Sequence, residues 1–157
     1  MAEIARTHTH PTPMKGTNEV KEEKWAKHYS SNHQILLVGE GDFSFALSLA
    51  MSFGSASNIV ASSLDTYEYL IENYKHAKTN LDKLVNFGAQ PLHKVDAVRM
   101  RNHTYLRMRK FDRIVFNFPD SGFPDRESDH CTIVEDSTLV SFILKQDKTS
   151  KKTYYIY

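Results

Sequence analysis

The stretch Ile35-Leu36-Leu37-Val38-Gly39-Glu40-Gly41-Asp42-Phe43-Ser44-Phe45 decides the fold. Four apolar residues in a row, with no polar alternation, predict a strand buried on both faces of a parallel sheet. The run stops at Gly39-Glu40-Gly41-Asp42. From Phe43 to Phe53, apolar side chains recur at Phe45, Ala46, Leu49, Ala50 and Phe53, the spacing of one helix face, and Gly54 stands where that helix would stop. Strand, glycine turn and helix form the opening unit of an α/β sheet.

The same alternation continues outward. Ile59 to Leu64 predicts a second strand ending at Asp65, followed by a helical stretch from Tyr67. Thr79 with Asp82 resembles a capping box for a further helical turn that Gly88 closes. Pro91 to Val95 predicts a third strand ending at Asp96, since proline is tolerated at a strand's first residue. Arg113 to Phe118 predicts a fourth, ending at Pro119. Ile133 to Leu144 suits one more helix and Tyr154 to Tyr157 one more strand. Strands alternating with helices imply a parallel sheet covered on both faces. Residues 1 to 24, polar and bearing Pro11, Pro13 and Gly16, read as a disordered arm, leaving 25 to 157 as one domain.

Composition narrows the function classes. Hydrophobic residues make up 40% and charged residues 25%, ordinary for a globular protein, and no apolar run approaches a membrane span. The net charge of +1 gives no global attraction to nucleic acid, so any RNA contact must be local. Cys131 is the only cysteine, which excludes an intrachain disulfide and fits a reducing compartment. His8 and His10 lack the further ligands a metal site needs, and no metal is expected. An intracellular protein outside the membrane is the expectation.

In such sheets ligands bind beyond the carboxyl ends of the strands. Here Gly39 to Asp42, Asp65, Asp96 and Asn117 to Asp120 all fall at that rim. Gly39 and Gly41 allow a tight bend and a close approach to a ligand. The third glycine of the dinucleotide fingerprint is replaced by Ser44, and Glu40 and Asp42 would repel a pyrophosphate. A cationic, phosphate-free nucleoside such as S-adenosylmethionine fits better. Asp65, 24 residues after Gly41, is in range to accept ribose hydroxyls, and would equally serve as a helix cap. Asp96 divides between the adenine amino group and a cap. Asn117-Phe118-Pro119 can hydrogen-bond and stack a nucleobase, or simply end a strand in a turn. Arg99, Arg101, Arg107, Arg109, Lys110 and Arg113 crowd six cations into fifteen residues, a path for an RNA backbone or a solvated face.

At these residues a resemblance becomes specific. Lys24-Trp25-Ala26-Lys27-His28-Tyr29-Ser30-Ser31, the Gly39-Glu40-Gly41-Asp42-Phe43-Ser44-Phe45 string, and Phe111 to Pro119 with Gly122-Phe123 resemble the ribosomal RNA uridine-N(3) methyltransferase-like family. The resemblance covers about residues 24 to 128. It implies a Rossmann-like class I methyltransferase sheet, S-adenosylmethionine as cofactor, and a large-subunit rRNA uridine as substrate, in the nucleolus or cytoplasm. It implies that Gly39, Glu40, Gly41, Asp42, Phe43 and Ser44 hold the methionine part, Asp65 the ribose and Asp96 the adenine. Asn117, Phe118 and Pro119 would face the target base, with Asp120 near enough to take the N(3) proton. The family commonly has histidine where this chain has Asp120. The sequence ends where the fifth strand is expected, so the last two strands of the usual sheet are not expected, and an uncovered edge would favour self-association. A non-catalytic paralogue that binds RNA or a protein partner is the alternative reading.

Overall fold

The computed structural model describes residues 22–116 and the strand Thr153–Ile156. The deciding stretch folds as its pattern requires. Ile35–Val38 is a strand, β3, and all four of its side chains are buried. Ile35 and Leu37 enter one core cluster and Leu36 and Val38 another, so the strand is apolar on both faces. Burying four such side chains contributes roughly 6–12 kcal/mol before chain entropy is charged against it.

Ahead of β3, Trp25–Ala26 (β1) and Tyr29–Ser30 (β2) pair antiparallel, with Lys27 in the left-handed region between them. The Lys24 N–H donates to Ser31 Oγ and its carbonyl accepts from the Ser31 N–H. The expected arm therefore meets an ordered hairpin at Lys24; residues 1–21 lie outside the described residues. After β3 come α1 (Ser44–Phe53), β4 (Ile59–Ser62), α2 (Tyr67–Asn73), α3 (Ala77–Asn86) and β5 (Gln90–Leu92). Two short 3-10 helices, Ala97–Asn102 and Leu106–Met108, lead to β6 (Arg113–Phe116), and β7 (Thr153–Ile156) pairs beside it.

The main sheet runs in the order β5-β4-β3-β6-β7, and every pair in it is parallel. This is the mixed α/β architecture with a parallel sheet that the alternation implied, and it is consistent with a Rossmann-like fold. One face is covered by α1 and α3 over Ile35, Leu37, Ile59, Ala61 and Val115. The other is covered by the 3-10 segment, whose Met100 and Leu106 pack on Leu36, Val38, Val60, Ile114 and Phe116. Among the described residues both faces are filled, one by α-helices and the other by the 3-10 segment.

Several expected boundaries move. The third strand ends at Leu92, not Val95, because Lys94 adopts φ 58°, outside any strand conformation. The chain bends there, and Val95 turns into the core with its N–H on the Ser63 carbonyl at 2.9 Å. Pro91 is the second residue of β5, tolerated because β5 is an edge strand among those described. The second strand ends at Ser62 instead of Leu64. Thr79 and Asp82 lie inside α3 and form no capping box; Asp82 instead accepts a 3.0 Å ion pair from Lys78, one turn earlier. The helix expected from Ile133 to Leu144 lies outside the described residues.

Candidate functional site

The sheet order places a topological switch at β3. Its neighbours β4 and β6 carry the chain away in opposite directions, and the crevice beyond the carboxyl ends of the strands opens between them. Gly39 follows β3 at that point with φ 72°. A Cβ on it would stand 2.7 Å from Phe116 Cε2, at the end of β6. Gly39 is thus required by conformation and by packing. Gly41 differs: the nearest atoms a Cβ there would meet belong to the Tyr74 ring, at 3.5 Å, an ordinary contact. The protein itself leaves that position free.

The turn is held by its own acids. Phe43, at φ 60°, precedes α1 without giving a side-chain cap. The capping comes from upstream: Glu40 Oε2 accepts the Ala46 N–H at 3.2 Å and Asp42 Oδ1 accepts the Ser44 N–H at 3.0 Å. Two of the donors that a helix start offers to a phosphate are therefore already taken by carboxylates. The Asp42 carbonyl accepts from Asn80 Nδ2 at 2.9 Å, which ties the turn to α3. Burial pushes the Glu40 carboxyl up to about 7, with the nearby Asp42 charge adding to the effect and the Ala46 N–H opposing it.

A cleft of about 570 Å³ opens over Gly39, Gly41 and Phe116. Asp65 reaches it from the end of β4 and Asp96 from the segment after β5. Three of the four expected strand ends thus converge, with Phe116 standing for the fourth. Asn117, Phe118, Pro119 and Asp120 lie outside the described residues. Phe43 turns into the core, fully buried, and Asp42 and Ser44 are spent on the helix start rather than lining the cleft.

The two strand-end aspartates divide in their duties. Asp65 caps nothing, contrary to one of its two expected roles. Thr66 is the N-cap of α2, its Oγ1 accepting the Tyr69 N–H at 3.1 Å. Asp96 does cap, accepting the Val98 N–H at 2.9 Å, and its carboxylate lies 3.6 Å from Arg99 Nε. Among the described residues lining the cleft there are three carboxylates, Glu40, Asp65 and Asp96, and no lysine or arginine.

The sequence did not point to the apolar wall. Leu64, Tyr69, Tyr74 and Val98 line the cleft and are 65%, 50%, 38% and 38% exposed. The available signal was the tyrosine content of α2, whose Leu70 alone is fully buried.

The basic segment is unevenly exposed. Arg99, Arg101, Arg107 and Lys110 are exposed. Arg109 lies 4.9 Å over the Tyr105 ring and donates to its hydroxyl, while Arg113 sits half-buried in β6 with Nη1 donating to the Asp112 carbonyl at 2.9 Å. Among the described residues, no cluster of three or more His, Cys, Asp or Glu is arranged to hold a metal, and no helix is long and apolar enough to cross a membrane.

The sequence resembles those of known proteins. The family described as rRNA (uridine-N3-)-methyltransferase BTM5-like matches residues 36–153. The chain belongs to that family. The BTM5-like match starts in β3 and ends at β7, and so takes in the whole cleft. The chain is 60% identical over 119 residues to heavy metal-associated isoprenylated plant protein 41 of Arabidopsis thaliana, covering 76% of this chain and 23% of that protein. It is 46% identical over 128 residues to an uncharacterized Arabidopsis thaliana protein, covering 80% of this chain and 61% of the relative. A Mus musculus ferredoxin-fold anticodon-binding domain-containing protein 1 homolog is 35% identical over 89 residues, 57% of this chain and 14% of that protein. The chain thus spans about three fifths or less of the curated relatives it matches. No solved structure matches.

Proposed function

We propose that the cleft binds S-adenosylmethionine and that the chain carries the cofactor-binding part of an S-adenosylmethionine-dependent methyltransferase acting on N(3) of a large-subunit rRNA uridine. The observation that carries this reading is the composition of the cleft: three carboxylates, no cation among the described lining residues, and a helix start already capped from within. A dinucleotide's pyrophosphate would meet net negative charge there, from Asp65 above all, since Arg99 offsets part of the Asp96 charge and burial raises the Glu40 carboxyl. A sulfonium nucleoside would face the opposite sign. Gly41 leaves room for the methionine part, with Gly39 and Glu40 beside it, and Asp42, Phe43 and Ser44 shape the turn from behind. Asp65 accepts ribose hydroxyls and Asp96 meets the adenine amino group.

When bound, the cofactor supplies a methyl group activated for transfer to a nitrogen. The chain's share of the reaction is alignment, since in-line placement of nucleophile and methyl carbon supplies much of the rate. The uridine N(3) proton must leave as the N–C bond forms and the C–S bond breaks onto sulfur. We assign the base contacts to Asn117, Phe118 and Pro119, and the proton to Asp120. Arg99, Arg101, Arg107, Arg109, Lys110 and Arg113 would guide the rRNA backbone, with the four exposed ones doing most of it. Such a substrate calls for a nucleolar or cytoplasmic enzyme.

Titration calorimetry with S-adenosylmethionine and with NAD tests the cofactor: binding of the first and not the second is expected, and the reverse would refute the reading. Single-turnover transfer to a uridine-containing rRNA fragment tests the reaction, with N(3)-methyluridine as the expected product. Cofactor binding and RNA binding without product would instead support a non-catalytic RNA-binding paralogue.

A further inference from the structure

Beside the cleft lies a second hollow, of about 330 Å³, and the two share Val95 and Asp96 as a common wall. Val95 and Met100, both buried, give it an apolar floor. Its rim differs in kind from that of the cleft. Lys94, Arg99 and Asn102 line it and are exposed, and His103 lines it half-buried. Asp96 is the one carboxylate among the described residues lining it, and that group is already engaged. Its Oδ1 accepts the Val98 N–H at 2.9 Å and its Oδ2 lies 3.6 Å from Arg99 Nε. The planar guanidinium of Arg99 has further N–H donors beyond that pairing. His103 is fixed through its backbone: its N–H donates to the Met100 carbonyl at 3.1 Å and its carbonyl accepts the Arg107 N–H at 3.0 Å. Its Nδ1 accepts the Leu106 N–H at 3.4 Å, which leaves the ring proton on Nε2 and makes that atom a donor.

Lys94 adds an independent observation. It holds φ 58°, a conformation that glycine enters freely and residues with a Cβ rarely. A strained lysine at the edge of a cleft implies a use for its side chain. Two cations against one paired carboxylate leave this hollow positive, whereas the cleft across the Val95–Asp96 wall is negative. An anion that the cleft repels is therefore drawn to its side. An ammonium, a guanidinium fork, an amide and an imidazole N–H together match the oxygens of a phosphate. We propose that this hollow is a phosphate site, in which Lys94, Arg99, Asn102 and His103 hold one backbone phosphate of the RNA strand whose target base enters the neighbouring cleft. The inference rests on the rRNA reading of the substrate and deepens it, adding Lys94, Asn102 and His103 to the cations assigned above. A phosphate held here fixes the strand's register on the protein without reading its sequence.

Two variants test it. Lys94→Gly removes the cation and suits the backbone, so it should melt about where the wild type does. His103→Asn can keep an acceptor for the Leu106 N–H while withdrawing Nε2. Binding of a single-stranded, uridine-containing rRNA fragment, read by fluorescence anisotropy, should weaken by about 2- to 10-fold in each. Fragments that each carry one uncharged methylphosphonate linkage locate the phosphate. One linkage beside the target uridine should weaken wild-type binding by a similar factor and have no further effect in the variants. Variants that bind every fragment as the wild type does would overturn the inference. So would a thermal stabilisation by inorganic phosphate that Lys94→Gly abolishes with no loss of RNA binding, since the hollow would then serve free phosphate. A wild-type chain that binds no RNA would overturn the rRNA reading itself, and this inference with it.

Discussion

At the residue scale, the two glycines of one turn separate into two kinds. Gly39 is held at φ 72° with Phe116 Cε2 within 2.7 Å of a would-be Cβ, so Gly39→Ala should destabilise the fold by about 1–3 kcal/mol, read by chemical denaturation. Gly41 has no such constraint. Gly41→Ala should fold with nearly unchanged stability and lose cofactor affinity, and calorimetry showing unchanged affinity would remove the turn from the site. Asp65 and Thr66 separate in the same way. Thr66 caps α2, so Thr66→Ala should cost about 1 kcal/mol of stability. Asp65 caps nothing, so Asp65→Ala should leave stability alone and weaken S-adenosylmethionine binding by about 1–3 kcal/mol through unpaired ribose hydroxyls. The sequence could not assign these roles, because two adjacent residues, both suited to capping, compete for one helix start and only backbone geometry decides between them.

Glu40 adds a pH dependence. Its carboxyl is raised from an ordinary 4.5 to about 7, chiefly by burial. Between those values the folded chain keeps a proton that the unfolded chain has released. Its contribution to stability is therefore complete below about pH 4.5 and is lost as pH rises to 7, a fall of about 3 kcal/mol. Glu40→Gln can keep an oxygen acceptor for the Ala46 N–H without the titration. Its unfolding free energy should lack this slope and exceed that of the wild type at pH 8; equal slopes in both proteins would assign the slope to other groups.

At the scale of elements, legibility followed the apolar pattern. β3, α1, β4 and β6 stand where continuous apolar runs or a helical stripe put them, since a strand buried on both faces and a helix buried on one have distinct periods. The pattern failed where the backbone acts locally. Lys94 ends β5 early through a left-handed φ that nothing in a lysine announces. The break between α2 and α3 falls at Tyr74 and not at the Thr79 cap the sequence suggested, and the 3-10 segment covers a sheet face with only Met100 and Leu106 as its fully buried anchors. One contact between elements deserves a direct test. Asn80 on α3 donates to the Asp42 carbonyl across 38 residues of sequence. Asn80→Ala should loosen the glycine turn, and hydrogen exchange at residues 39–43 should speed up while β3 stays protected. Cofactor affinity should fall with it. Unchanged exchange would show that the turn is held by Glu40 and Asp42 alone.

At the scale of the whole molecule, the cleft and the basic segment are continuous. Asp96 lines the cleft, and Arg99 follows it within the same 3-10 helix, with Arg101, Arg107 and Lys110 exposed beyond. An RNA strand tracking these cations would arrive at the cleft mouth from the sheet face that the 3-10 segment covers. With a net charge of only +1, the rest of the chain adds little attraction of its own, so RNA affinity should depend on this segment. Binding of a single-stranded rRNA fragment should weaken with salt, and each phosphate contact should add about 0.7 to the slope of log affinity against log salt. Replacing Arg101, Arg107 and Lys110 together by alanine should reduce that slope by roughly 2 and weaken binding of all RNA sequences alike. Arg99 is left in place because its pairing with Asp96 would confuse an effect on RNA with one on the cleft. S-adenosylmethionine affinity in the triple variant should match the wild type. An unchanged salt slope would place the RNA path on another surface, and a parallel loss of cofactor affinity would show that the segment shapes the cleft and does not guide the substrate.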